Sequence, residues 1–214
     1  MSDLELADLD LRAVDLRAQD RAATDLCRTA VELVKPNQLD LPTPCADWNL
    51  GELIAHLVAE NRGFAAIARG ANWSDQLGKE VRFGLEMWRP GPPDEITLAR
   101  FGATVEAVAA AYADDAVLDL PVEVREFGVF PGRVAVAMHF LDYLVHAWDV
   151  ARSIGLPNPI PEELAELALR LGVVIPAERP EGGVFAPVVP THPEAPASER
   201  LLGLVGRDPK WSGA

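Results

Sequence analysis

An all-α protein built on a bundle of four long helices is the fold class that this sequence predicts, on three observations. Apolar residues recur at helical spacing through four long segments. One of these, VAVAMHFLDYLVHAWDVA (Val134 to Ala151), is apolar on nearly every side yet carries a single polar stripe of His139, Asp142, His146 and Asp149. A second segment, ELIAHLVAEN, carries His56 beside its own apolar stripe. Two helices that turn His and Asp inward are the pattern of a bundle holding a metal in its core.

The elements follow in order. Residues of about 11–34 alternate Asp and Arg with Leu, Ala and Val at helical spacing and stop before Pro36. A Pro-rich loop through Pro42 and Pro44 leads to a helix at about 50–69, where Asn49 and Glu52 read as a capping box and Gly70 as the stop. A Gly- and Pro-bearing loop, Gly84 to Asp94, precedes a third helix at about 95–113, with Leu98, Phe101, Val105 and Val108 on its apolar face. Between Val117 and Phe130 the alternating pattern with Gly128 predicts a short hairpin or an extended crossover. The striped helix follows at about 132–154, closed by Gly155 and Pro157. A fifth helix at about 161–174 opens on Pro161 with Glu162 and Glu163 in its first turn. Residues 176–196, rich in Pro and Gly, read as an extended surface wrap, and a short helix at about 197–204 closes the chain. The expectation is a single domain over 1–214, with its core at about 11–155 and a C-terminal extension at about 156–214.

Composition bounds the partners. A formal charge of −14 argues against nucleic acid and anionic membranes, because phosphate binding needs clustered Lys and Arg. No apolar stretch reaches a membrane span free of charges, and the acidic MSDLELADLD lacks the layout of a signal peptide. The two cysteines, Cys27 and Cys45, are not paired by spacing, so the expected compartment is the reducing cytoplasm. Cys27 reads as a packed helical residue, and Cys45, in LPTPCADW just before the helix of His56, lies where a loop can approach the site.

The stripe carries the chemistry. At about 100° per residue, His139, Asp142, His146 and Asp149 fall within an arc of about 80°. Burying them unpartnered costs several kcal/mol, so they must face a polar network, a cavity or a metal ion. Asp142 and His146, one turn apart, offer an oxygen and an imidazole on one face, as a chelate needs. The further ligand must come from elsewhere, and of the four histidines His56 is the helical one outside this segment. His139 lies about 10 Å along the axis from His146, too far to share one ion easily, and is expected to contact a ligand, a water or the substrate. Glu60, one turn after His56, is the alternative carboxylate ligand to Asp142; Asp149 is expected in the surrounding shell.

The segments TPCADWNLGELIAHLV, FPGRVAVAMHFLDYLVHAWDVARSIG and APASERLLGLVGRDPKW together resemble an actinobacterial family of DinB-like metal-binding proteins related to the N-terminal domain of mycothiol-dependent maleylpyruvate isomerase. The similarity runs through nearly the whole chain from about residue 15. It implies a DinB-like four-helix bundle, with a hairpin or crossover before the last bundle helix and a Pro-rich C-terminal wrap with extra helices. It also implies a metal triad of one His from the second helix and two ligands spaced i, i+4 on the last bundle helix. These fall on His56, Asp142 and His146, with Asp142 standing where relatives carry His or Glu. Three ligands leave a fourth position open, as catalytic metals require. The implied metal is zinc, with nickel next, and the implied co-substrate is mycothiol.

Three functions remain in play. The first is a metal- and mycothiol-dependent transferase or isomerase acting on a small electrophile; the tail after Pro176 is too short for the isomerase's C-terminal domain, which argues against maleylpyruvate itself. The second is a non-enzymatic metal- or ligand-binding bundle, with a homodimer as the assembly considered. The third is a buried His/Asp network without metal.

Overall fold

In the computed structural model, residues 13–45, 48–71, 95–172, 175, 179 and 185–213 are described. Helix α1 (Arg17–Glu32) begins later than the periodicity suggests, and residues 1–12 lie outside the described chain. Asp15 sets the start. Its carboxylate accepts from the Arg17 backbone N–H at 3.1 Å and grips the same residue's guanidinium at 2.8 Å, so it serves the helix end from outside it.

Helix α2 (Leu50–Ile67) opens on the expected reciprocal cap: Asn49 Oδ1 accepts from Glu52 N–H and Glu52 Oε2 accepts from Asn49 N–H, both at 2.9 Å. Gly70, at φ +84°, ends it in the left-handed region. The loop Gly84 to Asp94 falls outside the described residues. Helix α3 spans Glu95–Tyr112.

The next stretch is a hairpin, the first of the two expected forms. Strands β1 (Pro121–Val124) and β2 (Gly128–Pro131) pair antiparallel, with Val122 opposite Phe130 and Val124 opposite Gly128. Val122 and Val124 point into the core. Helix α4 (Gly132–Ser153) follows without a linker. Its first residue must be small, since a Cβ there would sit 1.9 Å from the Val117 carbonyl oxygen.

Helices α5 (Glu162–Gly172) and α6 (Ala197–Leu204) pack chiefly on each other. The expected wrap is described only in part, residues 176–178 and 180–184 being outside. Within it, Val189 N–H donates to the Gly203 carbonyl at 2.9 Å, and Arg179 donates to the carbonyls of Ala186 and Leu204.

The four long helices form a ring: α1 packs mainly on α4 and α2 on α3, with α1–α3 and α2–α4 contacts closing it. Trp148, Tyr143, Phe140 and Leu144 of α4 meet Phe101 of α3, Leu53, Ile54 and Leu57 of α2, and Ala23 and Cys27 of α1, all essentially without solvent exposure. Each such Leu or Phe contributes about 1.5–3 kcal/mol. One unpartnered buried polar group costs about as much. The polar stripe of α4 is therefore tolerable only where its members find partners.

Candidate metal centre

The stripe divides into two networks on successive turns of α4. The upper one surrounds His139, which is completely buried. Its Nδ1 lies 2.6 Å from Asp20 Oδ1 of α1, and its Nε2 lies 3.2 Å from Asn61 Oδ1 of α2. The Asn61 amide N–H donates to Thr104 Oγ at 2.9 Å, and the Thr104 hydroxyl donates to the Phe101 carbonyl at 2.7 Å. His139 is thus held by protein on both ring nitrogens, between Phe64, Tyr112 and Tyr143. The cluster ties α1, α2, α3 and α4 together at one level of the bundle.

The lower network brings the two inward helices together. His56, His146 and Asp142 offer ligand atoms that all lie within 4.8 Å of one another. The His146 Nε2 to Asp142 Oδ1 edge is 3.3 Å. A tetrahedral ion with bonds of about 2.0–2.2 Å holds its ligand atoms about 3.3–3.6 Å apart, so that edge already has the span of a coordination polyhedron. The imidazoles of His56 and His146 meet edge to face with centroids 5.4 Å apart. Asp142, 30% exposed at its side chain, forms the open side. Its Oδ2 is buried and accepts no hydrogen bond from the described residues. An orphaned carboxylate oxygen beside two imidazoles is the donor set a divalent cation satisfies, so the residues present fit such an ion.

Each histidine is backed by a carboxylate, and each carboxylate by an arginine. His146 Nδ1–H donates to Asp149 Oδ2 at 2.8 Å, and Asp149 receives the Arg207 guanidinium at 3.1 Å from the tail after α6. On the other side, Glu60 Oε1 stands 3.6 Å from His56 Nδ1 and forms an ion pair with Arg125, which also donates from Nε at 3.3 Å. Glu60, the alternative carboxylate, therefore sits on the Nδ1 side of His56 and against a guanidinium. Arg125 lies between β1 and β2 at φ +41°, a left-handed conformation that costs a non-glycine residue about 1–3 kcal/mol. The ion pair with Glu60 holds it there.

The loop ahead of α2 forms a wall. Thr43 Oγ donates to the carbonyls of Cys45 and Trp48, and Trp48 N–H donates to the Cys45 carbonyl. These bonds place the Trp48 ring 4.5 Å from His56 and 6.3 Å from His146. Cys45 is half-buried in this loop, near enough to Arg207 to influence it electrostatically; Cys27 is buried in α1, and burial raises its thiol well above the ordinary range.

The electrostatics separate the two histidines. Burial lowers His56 to about 3, with the charges of His146, Arg125 and Arg207 adding to that effect and Asp142 opposing it, so its ring is neutral at neutral pH. Burial would lower His146 as well, but the Asp142 carboxylate and the hydrogen bonds to Asp142 and Asp149 outweigh it and raise the ring to about 9. Asp142 is pulled the other way: burial would raise it, and His146 and His56 hold it well below the usual carboxylate range. Asp149 behaves likewise, with Arg207 and His146 overcoming burial.

His56, Asp142, His146 and, around them, Glu60 and Asp149 thus share one neighbourhood, whereas the hydrogen bonds of His139 run to Asp20 and Asn61. Sequence reasoning missed Arg125, Arg207, Asp20 and Asn61. A weak signal existed for the first two: Arg125 follows the buried Val122 and Val124 of an alternating strand, and Arg207 closes the apolar run LLGLV.

Known proteins are similar to this chain in sequence and in fold. Two uncharacterized proteins of Mycobacterium tuberculosis, from strains CDC 1551 / Oshkosh and ATCC 25618 / H37Rv, are each 32% identical over 179 residues, covering 81% of this chain and 87% of theirs. Crystal structures of mycothiol-dependent maleylpyruvate isomerase, one of them a histidine-to-alanine mutant, superpose with TM-scores of 0.55 and 0.52 at 17% and 14% identity. The match covers 75% of this chain and 68% or 69% of those, and it establishes a shared fold. Residues 20–151, which include all of α2, nearly all of α4 and the three candidate ligands, match the family described as the mycothiol maleylpyruvate isomerase N-terminal domain, and the chain belongs to that family.

Proposed function

We propose that this protein is a mycothiol-dependent transferase or isomerase acting on a small electrophile, with a divalent metal ion, zinc before nickel, held by His56, Asp142 and His146. The observation that carries the reading is the convergence of one ligand atom each from His56, Asp142 and His146 within 4.8 Å of one another, with Asp142 Oδ2 left without a hydrogen bond from the described residues. Family membership and the mycothiol dependence named for the solved relatives support the thiol. Two free cysteines suit a reducing cytoplasm, and no helix among the described residues is long and apolar enough to cross a membrane.

A divalent ion in such a site lowers the pKa of a bound thiol, so that a thiolate nucleophile exists at neutral pH. The protein's own residues prepare for that. Asp149 holds the His146 proton on Nδ1 and leaves Nε2 toward Asp142. Three carboxylates (Glu60, Asp142, Asp149) against two guanidiniums (Arg125, Arg207) leave the pocket one negative charge when both imidazoles are neutral. That one negative charge would suit a divalent cation together with a single thiolate, the three summing to zero. Trp48 shields the histidines from water, and the part-exposed Asp142 marks the side from which a bulky thiol enters.

Metal analysis of the purified protein and turnover of activated alkenes or halides test this. Stoichiometric metal that His146→Ala abolishes, with turnover requiring both metal and mycothiol, is the expected result. A metal-free wild type, or activity undiminished by chelation, refutes the metal mechanism. Bound metal with no turnover across a broad electrophile panel leaves a non-enzymatic metal-binding protein.

A further inference from the structure

The same site contains a second feature, and it concerns residues far from the triad in sequence. Both candidate histidine ligands have a carboxylate beside Nδ1 and an arginine behind that carboxylate, from unrelated parts of the chain: Asp149 accepts from His146 at 2.8 Å, and Glu60 stands 3.6 Å from His56. On one side the order is His146, Asp149, Arg207; on the other it is His56, Glu60, Arg125. The carboxylate lies one helical turn after its histidine in both cases, at i+3 on α4 and i+4 on α2. The arginines come from the tail after α6 and from the β1–β2 hairpin. All four side chains are more than nine-tenths buried, and Asp149 is wholly so.

We infer that Arg125 and Arg207 are positioning residues of the metal centre, each anchoring the carboxylate that faces one imidazole's Nδ1, so that the hairpin and the C-terminal tail are working parts of the site. The inference rests on the metal reading proposed above. Its physical basis is the cost of the alternatives. A carboxylate buried at the back of an imidazole orients the ring only if it is itself held. Without a counter-charge it takes up a proton or turns toward solvent, and the ring loses its partner. Arg207 meets Asp149 with two nitrogens, Nε at 3.4 Å to Oδ1 and Nη2 at 3.1 Å to Oδ2, and a fork of that kind fixes the plane of the carboxylate. Arg125 also reaches both oxygens of Glu60, and it does so from a backbone conformation that disfavours any side chain. Hairpins turn readily without an arginine in a left-handed conformation, so the ion pair accounts for the conformation better than the turn does.

The test uses the full-length protein and cobalt(II) or zinc(II) as the probe. Arg207→Met and Arg125→Met keep length and apolar stem while removing the guanidinium; Arg207→Lys keeps charge and loses the fork. Metal affinity by chelator competition is expected to fall about 10–100-fold in each Met variant. The visible spectrum of bound cobalt should shift while the stoichiometry stays at one. Asp149→Asn supplies the second measurement: in that background Arg207→Met should cause little further loss of affinity, because both changes cut one relay. A merely structural arginine would lower the thermal midpoint of the metal-free protein and leave the affinity and cobalt spectrum of the folded fraction unchanged. Wild-type affinity and spectrum in both Met variants overturn the inference while leaving the metal reading intact. A wild type that takes up neither metal overturns both.

Discussion

At the scale of single residues, the two candidate histidine ligands behave as opposites, and the difference predicts a pH response. His146, raised to about 9 by Asp142 and Asp149 against the effect of burial, stays protonated in the metal-free fold at neutral pH. Its folded value lies above the ordinary 6.5, so its contribution to stability is fully present below pH 6.5 and is lost as pH rises through 9. His56, lowered to about 3, works the other way. The unfolded chain takes up its proton near 6.5 and the folded one does not, so stability falls as pH drops from 6.5 toward 3. From these two residues the metal-free protein is expected to be most stable near pH 6.5, with each flank losing on the order of 3–5 kcal/mol. Thermal melts from pH 4 to 10 on chelated protein check it, and a plateau through both flanks contradicts it. Metal uptake must displace the His146 proton. Calorimetry at pH 7 in two buffers of different ionisation enthalpy should report release of about one proton per metal, and the release should disappear as pH rises through 9.

Secondary-structure elements begin in different ways, and their sensitivities differ accordingly. Helix α2 starts on the reciprocal cap of Asn49 and Glu52. Asn49→Ala should cost about 1 kcal/mol, since one end group, the Glu52 N–H, returns to water without a cavity forming. Helix α4 has no side-chain cap; it starts against the 3-10 turn of Asp115–Leu118, with Gly132 N–H donating to the Leu120 carbonyl. Gly132→Ala places its methyl in the Val117 carbonyl and must shift backbone rather than a side chain. The expected loss is greater, about 1–3 kcal/mol. Denaturant melts rank the two; an Asn49→Ala cost exceeding that of Gly132→Ala would show that the α4 start yields easily. The hairpin illustrates how local pattern reaches its limit. Alternation in LDLPVEVREFGVF suited a hairpin and a crossover equally, and the choice came from packing: Val122 and Val124 both bury, which requires β2 to fold back beside β1.

Considered as a whole molecule, the chain closes on itself through its last described segment. Arg207 carries the counter-charge of Asp149, and Trp211 offers its carbonyl to Arg152 of α4. A chain ending at Gly206 leaves Asp149 fully buried with His146 as its only described partner. Stability should fall by about 3–5 kcal/mol, the usual cost of breaking a buried ion pair by removing one member. Adding Asp149→Asn to the shortened chain should recover part of the loss, because a neutral amide needs no counter-charge. Calorimetric midpoints for the two shortened chains decide this; equal midpoints would mean that packing of the tail, rather than charge, accounts for the loss.

The same contrast separates what sequence alone determined from what tertiary structure decided. Helical spacing, the Asn49/Glu52 cap, the glycine stops and the single polar stripe each arise within about a dozen residues, so the all-α class, most element bounds and the nearness of Asp142 to His146 were legible from the chain. The α1 start was not, because Asp15, outside the helix, accepts from the Arg17 N–H and pairs with its guanidinium, which periodicity does not register. Partners across the bundle lay further out of reach. Nothing local tells His139, which finds Asp20 and Asn61, from His146, which finds Asp149 and, through it, Arg207. A buried polar side chain must have a partner, and sequence states that need; it does not say which of many distant residues meets it, because that depends on how four helices, a hairpin and a tail are brought together.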